Sequence, residues 1–295
     1  GDLQCRRTDT GKLIWEKHLG GDKTPMWGFS SSPLIDGDKL IVFGADSKGI
    51  ALAFNKLTGK LLWQALPAKE PGYCSPLIIE AAHKRQLIVW HPESLNSLDP
   101  ETGKVYWSEP FESRSGMSIA MPVHEGDQLF ITAFFSGAMM MQLDADKPAA
   151  KQLWKIAGRS EKNTAALHST ISTPVIKDDY IYGVCSYGQL RCLKAKTGDR
   201  IWETFAATTG DAGKVRWANA FIDAQADRYF LFNESGDLII ANLTPKGYEE
   251  ISRAHLLEPT NADANRMVVW TQPAFANRSV YVRNDKEIVC ASLAE

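Results

Sequence analysis

The chain repeats itself. TDTGKLIW ends at Trp15, NKLTGKLLW at Trp63, DPETGKVYW at Trp107 and KAKTGDRIW at Trp202, while DADKPAAKQLW reaches Trp154 without its Thr-Gly pair. These tryptophans stand 48, 44, 47 and 48 residues apart, and a degenerate sixth copy, NLTPKGYEEI, is aligned to end at Ile251. A fixed period of this length means that each unit is one supersecondary motif, which buries its apolar face only by packing on its neighbours. Whatever the chain does, it folds as an array.

A second landmark precedes each unit's end: SSPLIDG at Pro33, CSPLIIE at Pro76, AMPVHEG at Pro122, STPVIKD at Pro174 and TQPAFAN at Pro273, with ANAFIDA near Phe221 as the copy without proline. Alternating apolar stretches follow (KLIVFGA, RQLIVW, QLFITAF, YIYGVC, RYFLFN, SVYVRN). Period-two alternation bounded by Gly, Asp and Asn predicts strands rather than helices. A lone proline suits the first residue of a strand, and Thr-Gly-Lys suits a hairpin whose glycine takes a positive φ. Four strands per unit of about 40–50 residues predict an all-β fold, a β-propeller of four-stranded blades. Trp15, Trp63, Trp107, Trp154 and Trp202 are expected to supply the apolar contact between neighbouring blades.

The 44% hydrophobic and 23% charged content is that of a globular chain. With 33 basic and 35 acidic residues the net charge is −2, so no bulk basic field holds nucleic acid. The longest uncharged run, Gln128 to Leu143, is shorter than the roughly 20 apolar residues of a membrane helix and is interrupted by Ser136 and Gly137. No signal peptide is read at Gly1-Asp2-Leu3, so any export signal is expected to lie outside this chain.

The x-D-x-x-T-G-K-x-x-W pattern resembles the pyrroloquinoline-quinone (PQQ) enzyme repeat with its tryptophan docking motif, and the resemblance covers almost the whole chain. It is most similar to the PQQ-like propellers of bacterial envelopes, a group that includes the lipoprotein of the outer-membrane β-barrel assembly machinery. The resemblance implies a periplasmic or secreted envelope location and architecture far more than activity. Quinone dehydrogenases with this repeat carry a vicinal disulfide and a calcium site. Here no two cysteines are adjacent among Cys5, Cys74, Cys185, Cys192 and Cys290, and no haem motif occurs. No cofactor is therefore expected, PQQ with calcium being the alternative without a motif behind it.

A tally of strands gives two at the N-terminus, five complete units, and three from Trp270 onward, or 25 in all. One domain over residues 1–295 follows, with blades at about 1–20 (partial), 28–66, 72–110, 116–157, 167–206, 216–257 and 268–295 (partial). A closed ring of seven blades needs 28 strands, so the chain is expected to lack a few N-terminal strands of a seven-bladed protein; eight blades is the alternative. Cys5, Cys192 and Cys290 fall at one third-strand position and are read as small buried hydrophobes, with Cys5 and Cys290 on blades that would adjoin in a ring. His83 and His91 are read as surface residues, and the acidic turns at Asp36 and Asp178 as turn chemistry.

The candidate site lies in the segments that join one blade to the next, because loops on a rigid scaffold carry function. A bulky residue followed by a small one recurs there: Gly28-Phe29-Ser30, Gly72-Tyr73-Cys74, Gly116-Met117-Ser118, Leu167-His168-Ser169, Arg216-Trp217-Ala218 and Val269-Trp270-Thr271. Arg114, Arg159, Arg216 and Arg266 accompany them, with Lys23 and Trp27 in the first. Trp27, Phe29, Tyr73, Arg114, His168, Arg216, Trp217, Arg266 and Trp270 are thus the expected ligand-binding residues of a funnel face. Aromatic faces and guanidinium donors suit a partner peptide, an anionic group or a sugar. No catalytic or metal-binding set is found. The leading expectation is a non-catalytic propeller binding an envelope protein or small ligand. The alternatives are a quinone-dependent sugar or alcohol oxidoreductase and a carbohydrate-binding or carbohydrate-processing propeller.

Overall fold

The computed structural model describes residues 1–294; Glu295, the last residue of the expected domain, lies outside them. The chain divides into two compact units, Gly1–Lys155 and the remainder from Ile156. Both are all-β. In the first, β1 (Asp2–Arg6) and β2 (Leu13–His18) form a two-stranded sheet. Three four-stranded sheets follow: β3–β6 (Leu34–Asp36, Lys39–Phe43, Ala51–Asn55, Leu61–Ala65), β7–β10 (Leu77–Ala81, Lys84–His91, Ser94–Leu98, Val105–Pro110) and β11–β14 (Val123–Glu125, Gln128–Ala133, Gly137–Leu143, Ala150–Ile156). The second unit holds β15–β18 (Val175–Lys177, Tyr180–Val184, Leu190–Lys194, Arg200–Thr204) and β19–β22 (Ala220–Gln225, Arg228–Asn233, Asp237–Thr244, Gly247–His255). A hairpin of β23 (Asn261–Asp263) and β24 (Arg266–Val268) then precedes a three-stranded sheet, β25–β27 (Ala274–Ala276, Ser279–Arg283, Ile288–Ser292). Every sheet is a meander in chain order, the blade pattern of a β-propeller.

Among the described residues the strands number 27, two more than the sequence suggests, and the surplus is the β23–β24 hairpin. Its short alternation, Asn261 to Val268, carries no apolar run and so gives no periodic signal. The inner strands form the cores. In the first unit Ile41, Ala53, Leu87, Ile88, Leu129, Ile131, Met139 and Met141 join one buried cluster with Trp63 and Trp90. In the second, Tyr182, Cys192, Leu231 and Ile239 do the same.

The Thr-Gly turns are built alike. The amide of Gly11, Gly59, Gly103 or Gly198 donates to a carbonyl four residues earlier (Arg7, Asn55, Asp99, Lys194) at 2.8–2.9 Å, and each glycine has φ between 67° and 75°. The threonine hydroxyl accepts the amide two residues on, at Lys12, Lys60, Lys104 and Asp199. A bulge follows. Cys5 stands opposite Trp15, Ala53 opposite Trp63, Ser97 opposite Trp107 and Cys192 opposite Trp202, and the residue before each tryptophan is skipped. This register corrects the sixth copy: Ile240 faces Ser252, and Ile251 is the skipped residue, equivalent to Ile14, Leu62 and Ile201. The apolar character of Ile14, Leu62, Ile201 and Ile251 disguised the offset.

Two further readings change. His91 is only 5% exposed. Its Nδ1 accepts the Glu93 amide at 3.3 Å and its Nε2 faces Ser94 Oγ at 3.0 Å. Burial therefore lowers its pKa, against the pull of Glu93, and the ring stays neutral. Asp36 ends β3 rather than standing free in a turn. It is buried and ion-paired to Arg85 of the next sheet and to Lys39, which in turn meets Glu101 at 2.8 Å. Of the third-strand cysteines only Cys192 is fully buried; Cys5 is half-buried and Cys290 exposed, because β1 and β27 belong to the incomplete sheets.

Candidate functional site

Three of the connections between sheets are laid on the turn between the second and third strands of the sheet they leave. Phe111 N–H donates to Glu93 O, Trp217 N–H to Ser186 O at 2.9 Å, and Val269 N–H to Glu234 O at 2.8 Å. The connections are therefore held by backbone and not merely draped, which pre-orders their side chains.

In the first unit the arrangement is aromatic. Trp27 is 58% exposed beside Met26 at 86%. Its ring lies 5.5 Å from that of Tyr73, tilted by 46°, and its amide donates to Tyr73 Oη at 3.3 Å. Tyr73 is buried, which raises its phenol pKa, and its own amide and that of Cys74 both donate to Ser118 O. Gly72 permits this approach: with φ of 74°, a Cβ there would stand 2.0 Å from Ser118 Oγ. Phe29 packs on Gly1 and lines a small cleft with Pro33 and Phe43. Arg114 opens a single 3₁₀ turn and places its guanidinium 5.0 Å over the Phe135 ring. Cys74 is inert: it donates to Trp90 O at 3.0 Å, and burial pushes its thiol up to about 12.

In the second unit the arrangement is ionic. Arg216 donates to Glu161 Oε2 at 2.7 Å and lies 4.3 Å over the Trp217 ring. Tyr187 Oη donates to Glu161 Oε1 at 2.5 Å. The Tyr187 hydrogen bond, partly opposed by burial and reinforced by Arg216, holds the Glu161 carboxyl below its ordinary range. Trp217 itself has φ of 64°, a strained value for a bulky residue. The next connection repeats the theme. Arg266, in β24, meets both oxygens of buried Glu234 at 3.0 and 3.2 Å and one of Asp263 at 2.6 Å. Trp270 Nε1 donates to Glu234 at 3.0 Å. His168 is 1% exposed, inside the unit.

The structure thus brings together Trp27 with Tyr73, Arg216 with Trp217, and Arg266 with Trp270. Residue-by-residue reading missed Glu161 and Glu234, the carboxylates that hold the arginines. Glu234 had a signal: like Glu93, which accepts the Lys69 amide at 2.9 Å, it follows the second strand and faces the connection. Glu161 sits in a long connection with no periodicity. Arg191 was also missed. It is fully buried, donating to Thr164 Oγ1, Ala166 O and Glu203, and it pins that same connection to the sheet.

These donors do not fit a quinone and calcium. The sequence has no vicinal cysteine pair, and among the described residues no three His, Cys, Asp or Glu side chains are grouped to hold a metal ion. No helix of the described residues is long and apolar enough to cross a membrane.

Comparison with known proteins agrees with the array. The family profile described as outer membrane protein assembly factor BamB matches residues 1–90 and 75–295. The BamB of Yersinia pestis is 22% identical over 302 residues, covering 91% of this chain and 71% of that protein. Among solved structures, BamB from Moraxella catarrhalis superposes with a TM-score of 0.67 at 18% identity, over 98% of this chain and 78% of that one. A quinohemoprotein alcohol dehydrogenase from Comamonas testosteroni superposes at 0.57 and 13% identity, over 88% of this chain and 52% of that one. Identities this low show shared fold alone.

Proposed function

Because the chain belongs to the family of the outer membrane protein assembly factor BamB, we propose that it is a periplasmic envelope scaffold that takes part in outer-membrane protein assembly. It is non-catalytic and protein-interacting, and it requires no cofactor. Within that reading, the contact surface for an envelope protein is the first-unit connections carrying Met26, Trp27 and Tyr73. The observation that carries this assignment is the Met26–Trp27 pair. The exposed indole beside an exposed methionine, ordered by the Tyr73 ring and hydroxyl, makes a contiguous apolar patch, and tryptophan is enriched among interface hot spots. For the intact protein we propose one domain of seven blades, eight being the alternative, joined by indole docking. The support is the 25 blade strands that remain once the β23–β24 hairpin is set aside.

The test is complementation. Cells lacking the protein should show reduced levels of outer-membrane β-barrel proteins, restored by the wild-type chain and not by Met26→Ala/Trp27→Ala, which removes exposed side chains and leaves the fold. Full restoration by that variant would remove the assignment of this surface.

A further inference from the structure

In the second unit a groove of about 280 Å³ opens between β15–β16 and the β21–β22 hairpin. Its origin is the loss of the Thr-Gly turn. At the Thr-Gly turns of Gly59 and Gly103 the preceding indole, Trp15 or Trp63, lies against the glycine. Here β21 and β22 run on to a two-residue turn at Pro245-Lys246, and Trp202 Nε1 donates to Thr244 O at 2.8 Å. The lengthened hairpin stands as a wall, and the space below it is left open.

The lining has a definite chemistry. Tyr182 and Tyr229, with ring centroids 5.7 Å apart, form the floor and are each only 2% exposed, and half-buried Tyr180 at the side is the accessible ring. Asp178, Asp227 and Glu249 stand exposed on the rim. The groove has one lining cation, Lys177, which donates to Ala226 O at 3.1 Å and already lies over the Tyr229 ring at 5.8 Å. Three carboxylates against one ammonium leave the rim acidic, while the chain as a whole is nearly neutral. No three carboxylates of the described residues are close enough together to hold a metal ion. Dispersed negative charge beside the accessible Tyr180 ring suits an extended organic cation, whose guanidinium or ammonium groups pair with the carboxylates while a stem lies against Tyr180. The other turn that lost Thr-Gly, at Asp144–Ala149, also borders a cleft. It is lined by two aspartates and two lysines and by no aromatic residue, so it has neither the charge nor the platform.

We propose that this groove binds an arginine- or lysine-bearing segment of a partner protein. The proposal is independent of the Met26–Trp27 surface, which the test below does not involve.

The probe is a fluorescein-labelled peptide, Gly-Arg-Gly-Arg-Gly, titrated with the purified full chain and followed by anisotropy. Saturable binding is expected, together with a shift of the Trp202 indole N–H resonance. The double variant Asp178→Asn/Asp227→Asn should weaken binding about tenfold, the scale of a lost charge pair. Glu112→Gln, an exposed carboxylate in the first unit, should leave it unchanged. Absence of saturation at millimolar peptide would overturn the proposal, as would undiminished binding by the double variant. Equal competition by spermine, which has the charge and no peptide framework, would assign the groove to small polycations and overturn the peptide reading.

Discussion

The turns that keep Thr-Gly and the turns that lost it do different things to the same tryptophan. Trp15 Nε1 donates to Lys56 O at 3.1 Å and Trp63 Nε1 to Pro100 O at 3.2 Å, each in the turn of the following sheet. A Cβ on Gly59 would lie 2.8 Å from the Trp15 ring, and one on Gly103 the same distance from Trp63. The glycine is therefore required twice, for its positive φ and for the indole that lies on it. At Asp144–Ala149, Pro148 holds the place of that glycine, counted from the first residue of the turn. Trp107, which would be seated there, bonds Gln86 of its own sheet at 3.3 Å. At Thr244–Gly247 the hairpin lengthens and a groove results. Consensus turns close the joint between sheets, and departures leave surface that can be put to use.

The largest effect expected from this contrast comes from the tryptophans. Trp63→Ala, in the core of the first unit, should cost about 3–5 kcal/mol in chemical denaturation. Trp202→Ala, half-buried beside the open groove, should cost clearly less. Equal losses would erase the distinction between closed and open joints.

Next comes the ionic joint at the Trp63 seat, where Glu101 follows Pro100 in the same turn. Arg85→Ala leaves buried Asp36 with Lys39 alone and should cost about 1–3 kcal/mol at neutral pH. Burial by itself would raise the Asp36 carboxyl; Arg85 and Lys39 together outweigh it and hold it below its ordinary value. A depressed carboxyl contributes stability that is present above its unfolded pKa, about 3.9, and lost as pH falls through the lower folded value. Wild type should therefore lose stability more steeply than Asp36→Asn in acid titrations below about pH 4. Parallel curves would mean that the pair is not stabilising.

Much of this was legible in residues. The repeat announces the sheets because alternation and turn chemistry are local, and Thr-Gly-Lys states its own hydrogen bonds. The connections are less legible, since no period governs them. Arg216 and Arg266 look like free donors in sequence, and only the fold shows Glu161 and Glu234 opposite them, at separations of 55 and 32 residues. The groove was invisible because it arises from a missing feature, the lost Thr-Gly, combined with tyrosines from two different sheets.

The smallest expected effect is a pair of opposed histidine titrations. His255, bonded to Asp237 at 2.9 Å, is raised by that contact against partial burial, with Glu258 assisting. It should titrate above about 6.5, so its contribution is complete below that pH and fades as pH rises through the folded value. Being nearly half exposed, it should move stability little, and less in salt. His91, neutral and buried, should titrate below about 6.5 and weaken the fold as pH falls. Imidazole resonances followed by NMR from pH 5 to 8 check both; reversed order would contradict the local geometry.

The most direct measurement is the denaturation cost of alanine at two equivalent glycines. Gly103→Ala meets both a positive φ and the Trp63 ring, whereas Gly11→Ala, at the same turn position, meets nothing within 4 Å. If the indole seat is why Thr-Gly recurs, Gly11→Ala should cost about 1 kcal/mol from backbone conformation alone. Gly103→Ala should then cost about 2–4 kcal/mol, the crowding against the ring adding to the same conformational cost. Equal costs at the two sites would show that turn geometry by itself explains the repeat, and that the indoles do not hold the sheets together.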